Sequence, residues 1–436
     1  MAQRYQSWGR YPPATPAEVV RPSGRHALPD LAALGRPALA YGLGRSYGDV
    51  CLNDGGVLID TAGLDRFIAF DREAGVIRCE AGVSLADVLA LAMPHGWFLP
   101  VTPGTKHVTV AGAVANDVHG KNHHAAGTFG RHVTRLELVR SSGERLELAP
   151  GDPLFAATVG GVGLTGFITW VEFRLHPIPS DRIDATSTRF RTLADFFRVS
   201  EAANARSPYV MAWVDTLRPE GRGLLMDGDF APAGDGAGLP PVGTAPPLAP
   251  RLPFDLPAWA SSRPVVRAFN AVLYRKQRAD VKRSRLPYGP FFYPLDVARD
   301  WNRGYGRRGF LQHQCVVPFA DGLDAIRALL ARVAASGAAS PLAVLKTFGD
   351  VPSPGLLSFP RPGVTLALDF ANRGPETIRL LRSLDDVVRE AGGRVYPAKD
   401  ACMTGESFRV FYPEWEALAP HLDPAFSSSF WRRVME

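Results

Sequence analysis

Cysteine is scarce in this chain: Cys51, Cys79, Cys315 and Cys402 are the only four in 436 residues, and they lie far apart. No C-x-x-C pair exists, which excludes a thiol metal or dithiol redox motif read from spacing, and no disulfide framework is implied. A reducing compartment is the expectation. The opening residues, MAQRYQSWGRYPPATP, lack the apolar stretch of a secretory signal. Long hydrophobic runs are scarce too. The uncharged run 154–171 (LFAATVGGVGLTGFITWV) approaches membrane-spanning length but holds four glycines, so no transmembrane helix is expected from it. A cytoplasmic or peripheral membrane protein fits these absences.

What is present is a globular composition, 46% hydrophobic and 21% charged, in a length that suggests two or three domains. The formal net charge of +6 favours anionic partners such as a phosphorylated substrate or an anionic lipid surface. Nucleic-acid binding would rest on that charge alone and is not expected.

Along the first 180 residues, short β-rich runs alternate with glycine turns: PALAYGLG, GVLIDTAGL, FIAFD, GVIRCEAG, RLELVRSSGERLELA and FITWVEFRLHPI. One helix is predicted in SLADVLALAMPHG, where Ser84 and Asp87 resemble a capping box, Leu85, Val88, Leu89 and Ala92 form an apolar face, and Pro94 and Gly96 end it. A boundary is expected near Pro179. Residues 231–250 are almost all Pro, Gly, Ala and Leu without period, the composition of a mobile loop or lid. Residues 263–285 carry eight Lys/Arg against a single Asp, with Val266, Phe269, Val272 and Leu273 at helical spacing. This segment reads as a basic amphipathic helix that rests on an anionic membrane surface, or as a solvated face beside the loop. Beyond it, FLQHQCVVPF, LAVLKTFGD and GVTLALDFA read as strands, and GLDAIRALLARVAASG and TIRLLRSLDDVVREAGG as helices, a second α+β layer.

Three glycine loops carry the chemistry of the first segment. YGLGRSYGD fails as a dinucleotide fingerprint, because Tyr47 stands where G-x-G-x-x-G needs glycine and no helix pattern follows. A glycine loop between strands still admits a pyrophosphate, and it also reads as a plain β-turn. The second loop supplies Pro103, Gly104 and Thr105 and then the small residues 111–115; the third supplies Gly160, Gly161, Gly163 and Gly166. Together they suggest one extended, phosphate-containing ligand. NDVHGKNHH, residues 116–124, packs three histidines and a lysine into nine positions. His119 and His123 have the i, i+4 spacing of a helical zinc pair, but Gly120 is a poor helix former and no third ligand is near in sequence. No metal is expected.

GLGRSYGD, PGT followed by TVAGAVANDVHGKNHH, and GLTG resemble, in order and spacing, the FAD-binding domain of vanillyl-alcohol-oxidase-type (p-cresol-methylhydroxylase-type) flavoenzymes. Within that group HGKNHH, FYPLD, WNRGYG, RGFLQHQ, LKTFG, LSFPRPG and GGRVYPAKD resemble the decaprenylphosphoryl-β-D-ribose 2′-oxidase family, over nearly the whole chain from about residue 40. The resemblance implies an α+β, two-domain flavoprotein. Its parts would be an FAD-binding domain at 1–180, a substrate domain at 181–393 with an antiparallel sheet, flanking helices and a mobile loop at about 231–262, and a segment 394–436 that returns to the first domain.

The implied activity is oxidation of the 2′-hydroxyl of a polyprenylphosphoryl-β-D-ribose to the keto sugar. It would be the first half of an epimerisation to an arabinose donor for cell-envelope glycans, completed by a separate NAD(P)H-dependent short-chain reductase. The implied catalytic residues are Lys399 and His119, and the implied substrate contacts are Lys121, Gln312, Gln314, Lys346, Tyr293, Tyr47 and Ala367. Gln312 and Gln314, two apart, would share one strand face. Trp301 and Tyr305 are further candidates. FAD would meet Gly42, Gly44, Arg45, Ser46, Tyr47, Gly48, Pro103, Gly104, Thr105, Gly112, Asn116, His119, Gly120, Asn122, His123, Gly163, Ile168 and Tyr396. His123 and His124 are equally readable as structural. Covalent members attach the flavin through a histidine where Tyr47 stands, so a non-covalent flavin is implied. Mycobacterial members carry a cysteine where this chain has Ala367. The alternatives are an aldonolactone or alditol oxidase acting on a soluble sugar, and a flavin-binding protein without turnover.

Overall fold

The computed structural model describes residues 5–435 except 219, 235 and 244–248. Near the N-terminus, strands Glu18–Val20, Val57–Asp60 and Ala38–Tyr41 pair in parallel in that order, and the central one is buried along its whole length. A five-stranded antiparallel sheet follows, ordered Phe67–Asp71, Val76–Glu80, Phe167–Arg174, Val133–Val139 and Arg145–Leu148. Helix Leu85–Ala92 has the reciprocal Ser84–Asp87 cap, and its four apolar residues are buried against the sheet beside Ile77 and Val171. The uncharged run 154–171 is divided between helix Pro153–Thr158, all but its first residue, a turn, and the start of the central strand. Gly160, Gly163 and Gly166 take positive φ in that turn, which is why glycine recurs there. No helix among the described residues is long and apolar enough to cross a membrane.

Strands from residues 182 to 395 form an eight-stranded antiparallel sheet, ordered Val281–Pro287, Arg182–Phe190, Gly223–Phe230, Tyr209–Val214, Ala343–Phe348, Gly363–Ala371, Phe310–Val317 and Arg394–Val395. Helices Leu193–Asn204, Gly322–Ala335 and Pro375–Glu390 cover one face, where Leu311, Cys315, Leu366 and Leu368 pack with Phe196, Ile326, Leu329, Leu384 and Val388. His313 faces these helices and bonds Asp385 at 3.0 Å; burial opposes its charge, yet that bond raises its pKa to about 10. The period of two then turns Gln312 and Gln314 to the opposite face.

One sequence expectation changes. The basic segment 263–285 is not one helix: helix Arg263–Lys276 stops at Gln277, and Val281–Pro287 is an edge strand on Arg182–Phe190. Gln277 Nε2 donates to the carbonyls of Ser187 (2.9 Å) and Ala279 (3.1 Å), and Arg285 pairs with Asp184 at 2.7 Å. An available sheet edge thus outweighs the helical pattern there. Within the expected loop 231–262, residues 235 and 244–248 lie outside the described residues. The described stretch 251–256 runs beside 299–303, with Leu252 N to Arg299 O at 3.0 Å and Leu256 N to Arg303 O at 2.8 Å, and Ala258–Ser261 forms a short 3-10 turn.

Candidate active site

The glycine loops and the uncovered face of the large sheet enclose a cavity of about 550 Å³, the size of many cofactor and ligand sites. The first loop leaves strand Ala38–Tyr41. Gly44 has φ +60°, and a Cβ there would collide with the Tyr41 hydroxyl and the Gln6 carbonyl, so the loop tolerates only glycine at that point. A Cβ on Gly42 would lie 2.6 Å from Thr109 Oγ1, which brings the first loop against the second. Thr109 caps helix Val110–Ala115 by accepting from Gly112 N at 3.2 Å. Ala111, Gly112, Ala115 and Asn116 then line the cavity with little more than backbone, and Gly163 and Ile168 complete that wall. At Gly104 a Cβ would meet nothing within 4 Å.

The opposite wall is side-chain chemistry. Gln312, Gln314, Lys346, Thr365 and Ala367 line it from three neighbouring strands, with Ala367 opposite Gln314 and Lys346 opposite Thr365. His119 sits at the junction: its Nε2 is 2.9 Å from Gln314 Nε2, and its ring packs among Phe348, Phe359 and Tyr396. Burial, with Lys346, His123 and Lys399 nearby, holds its pKa far below the usual value, so the imidazole is neutral. Tyr396 is fixed by its hydroxyl donating to Asn116 O at 2.7 Å.

Three lysines face the same space. Lys121 Nζ donates to Phe292 O at 2.9 Å, and Lys346 Nζ to Gly120 O at 3.3 Å. Burial pulls Lys121 down to about 8 and, with Lys121 and Lys399 adding repulsion, Lys346 to about 7. Lys399 arrives from the turn YPAKD, which is held on the first loop by Tyr47 N donating to Ala398 O at 2.9 Å. Its ammonium lies 3.5 Å from the centroid of the Tyr47 ring. Burial lowers the Lys399 pKa and Asp369 opposes that.

Asp369, 1% exposed, stands just behind the lining beside Gln312, and sequence reading missed it. It accepts from Gln312 Nε2 and from the Tyr305 hydroxyl, and burial pushes its pKa up. The available signal was a lone carboxylate in an otherwise apolar strand, GVTLALDFA. Thr365, Trp213, and Trp8, whose ring lies 4.0 Å from the Arg45 guanidinium carbon, were also missed.

Of the residues singled out from sequence, Lys399, His119, Lys121, Gln312, Gln314, Lys346, Tyr47 and Ala367 line the cavity, as do Gly42, Gly44, Arg45, Ser46, Pro103, Gly104, Thr105, Gly112, Asn116, Gly120, Gly163, Ile168, Tyr396 and Trp301. Four assigned residues stand behind it. Tyr293 is buried and its hydroxyl shares a hydrogen bond with Thr102 Oγ1 at 2.8 Å. Gly48 is covered by the Asp400 carbonyl, Asn122 donates to Pro100 O at 2.8 Å, and His123 packs its ring 4.5 Å from that of Phe348. Tyr305 too lies behind the wall, at Asp369. His119 and His123 do not share a helix, since the short helix begins at His123. His124 bonds Ser207 O at 3.1 Å. Among the described residues no group of three His, Cys, Asp or Glu could hold a metal ion.

A backbone-lined cradle beside a cationic, hydrogen-bonding wall fits an extended dinucleotide. A family described as an FAD binding domain matches residues 16–149. An FAD-binding domain of this kind on this fold marks the chain as an FAD-dependent oxidoreductase. The chain is 36% identical to decaprenylphosphoryl-β-D-ribose oxidase of Mycolicibacterium smegmatis, over 99% of this chain and 97% of that protein. It belongs to the decaprenylphosphoryl-β-D-ribose oxidase family. Alditol oxidase of a Streptomyces species and L-gulono-1,4-lactone dehydrogenase of Mycobacterium tuberculosis are each 29% identical over 41% of this chain, covering 43% and 42% of their own lengths.

Proposed function

We propose that this protein oxidises the 2′-hydroxyl of a polyprenylphosphoryl-β-D-ribose to the 2′-keto sugar, using non-covalent FAD. The observation that carries this reading is one cavity that joins the glycine cradle to three lysines and two glutamines on the sheet wall. Bound FAD supplies the acceptor for the hydride that leaves the carbinol carbon. The loops at 42–46, 103–105 and 111–116 would hold it, and Tyr47, packed between Lys399 and Phe310, offers no histidyl attachment point. Acid denaturation should therefore release the flavin from the chain.

His119, kept neutral by its surroundings, takes the hydroxyl proton at Nε2 once the sugar hydroxyl displaces the Gln314 amide N–H from that nitrogen, and the Lys399 ammonium steadies the negative charge that grows on the oxygen. Asp369 favours the charged form of Lys399. Gln312 and Gln314 use their amide N–H groups on Asp369 and His119, which leaves their amide oxygens for sugar hydroxyls. Lys121 and Lys346 meet the phosphate.

The domain limits 1–180, 181–393 and 394–436 belong to this proposal. So does a separate NAD(P)H-dependent reductase that consumes the keto sugar on the way to the arabinose donor. Peripheral contact with an anionic membrane is proposed for the exposed Arg267, Arg275 and Lys276 of helix Arg263–Lys276. Vesicles containing anionic lipid should bind the protein and release it in high salt.

Anaerobic mixing with synthetic prenylphosphoryl ribose should bleach the flavin. Bleaching by alditols or aldonolactones alone would move the chain to the second reading, which the partial similarity to alditol oxidase favours. A flavin that no sugar reduces would mark a binding protein without turnover.

A further inference from the structure

The cavity changes character away from the lysines. Across the large sheet Gln314 stands opposite Ala367, Ala367 opposite Val344, Val344 opposite Trp213, and Trp213 opposite Leu224. That row crosses four strand spacings of about 4.8 Å, roughly 19 Å in all. It starts polar, where Gln314 touches His119, and ends apolar. Met211 and Met226, paired opposite each other, widen the apolar end, and all of these side chains line the same cavity.

The apolar end is not a packed core. Val344, Trp213, Met211, Leu224 and Met226 are only half-buried, although neighbouring residues that face the helices, such as Ala212, Leu225 and Leu345, are fully covered. The Trp213 indole N–H donates to Pro341 O at 3.3 Å, so the side chain offers the cavity no free donor. The two methionines add flexible, polarizable surface that adapts to an irregular apolar partner. Leu273 of helix Arg263–Lys276 lines the cavity as well, and that helix is docked on strand Arg182–Phe190 through the Tyr274 hydroxyl, 3.4 Å from Phe190 O. Arg189, opposite Leu224 at the far end of the row, turns its guanidinium onto the Tyr274 ring and the Arg278 carbonyl. A soluble sugar has no use for such a stripe, whereas an aliphatic chain attached to a phosphate matches both of its ends.

We propose that the stripe Val344, Trp213, Leu224, Met211 and Met226 is the subsite for the first isoprenoid units of the substrate, with the phosphate at Lys121 and Lys346. The inference rests on reading the site as one for a lipid-linked sugar phosphate, and it adds where the lipid lies. The chain leaves the sugar across the sheet strands and ends beneath Leu273.

The test uses the FAD-loaded, full-length protein, titrated by calorimetry with isopentenyl, geranyl and farnesyl phosphate, with inorganic phosphate as the reference. Affinity should rise by roughly tenfold or more from isopentenyl to farnesyl phosphate, since each added unit buries further apolar surface. The double variant Leu224→Gln, Met226→Gln should lose most of that length dependence. Equal affinity for all three ligands in the wild type overturns the proposal, as does a variant with full flavin content that keeps the length dependence. If the double variant loses its flavin, Met211→Gln replaces it under the same criteria. Length-dependent binding without flavin reduction by prenylphosphoryl ribose would support the subsite and sink the sugar reading. Flavin reduction without length dependence would sink the subsite alone.

Discussion

The two walls of the cavity are made differently. On the cofactor side the chain presents backbone: Gly42 and Gly44 are held to glycine by contact with the protein's own Thr109, Tyr41 and Gln6, and Ala111, Gly112 and Ala115 keep side chains out of the space. On the sheet side it presents side chains, placed by the pairing of strands that are distant in sequence, such as Gln314 with Ala367 and Lys346 with Thr365. A backbone wall fixes shape and admits a ligand whatever its side-chain neighbours do. A side-chain wall fixes charge and hydrogen bonding, and a register slip of one residue would turn all of it to the wrong face.

The largest effect should come from the sheet-side chemistry where it meets the first loop. Lys399→Met removes the charge proposed to stabilise the reacting oxygen and should slow sugar-dependent flavin reduction by about 10²–10³-fold per bound flavin, measured by anaerobic stopped flow. A wild-type rate would show that the two walls do not share the chemistry. Next is the tie that brings them together. Arg433 binds Asp49 (2.8 Å), just after the first loop, and Asp400 (2.7 Å), next to Lys399, and the side chains of those carboxylates are only 2% and 4% exposed. Arg433→Met strands both and should cost about 3 kcal/mol in denaturant unfolding; an unchanged midpoint would mean that the loops hold each other without it.

A smaller, cleaner effect separates cradle from fold. Gly104→Leu projects into open space, so FAD affinity should fall about tenfold with the unfolding midpoint of the FAD-free protein unchanged. Gly44→Ala, by contrast, strains the FAD-free protein itself and should lower that midpoint. If both variants behave alike, the distinction between open and closed glycines is wrong. The mildest prediction uses pH. Lys346 near 7 and Lys121 near 8 are charged below those values and neutral above them, so positive charge on the sheet wall is lost as pH rises. Affinity for a phosphate-bearing substrate should weaken by roughly tenfold between pH 6 and 9, while FAD content stays constant. Flat substrate affinity would move the phosphate away from these lysines.

Sequence alone carried the cradle far, because glycine spacing and small-residue runs are local statements about backbone shape. It also placed Gln312 and Gln314 on one face, since alternation along a strand is local as well. It failed where partners come from elsewhere. Asp369 gains its contacts only when Gln312, Tyr305 and Lys399 converge on it, and Tyr293 is buried with its hydroxyl on Thr102 instead of among the residues that line the cavity. The segment 263–285 looked helical throughout until an open sheet edge claimed its second half.

The sequence by itself determined the alternating strands, the capped helix Leu85–Ala92, the glycine turns and the supply of lysine, histidine and glutamine. All of these depend on neighbours within a few residues. Only the tertiary structure decided which lysines face one another, which histidine stays neutral, and that polar and apolar halves of one sheet face lie end to end. Those properties depend on desolvation and on strand register, which exist only once distant segments have packed together.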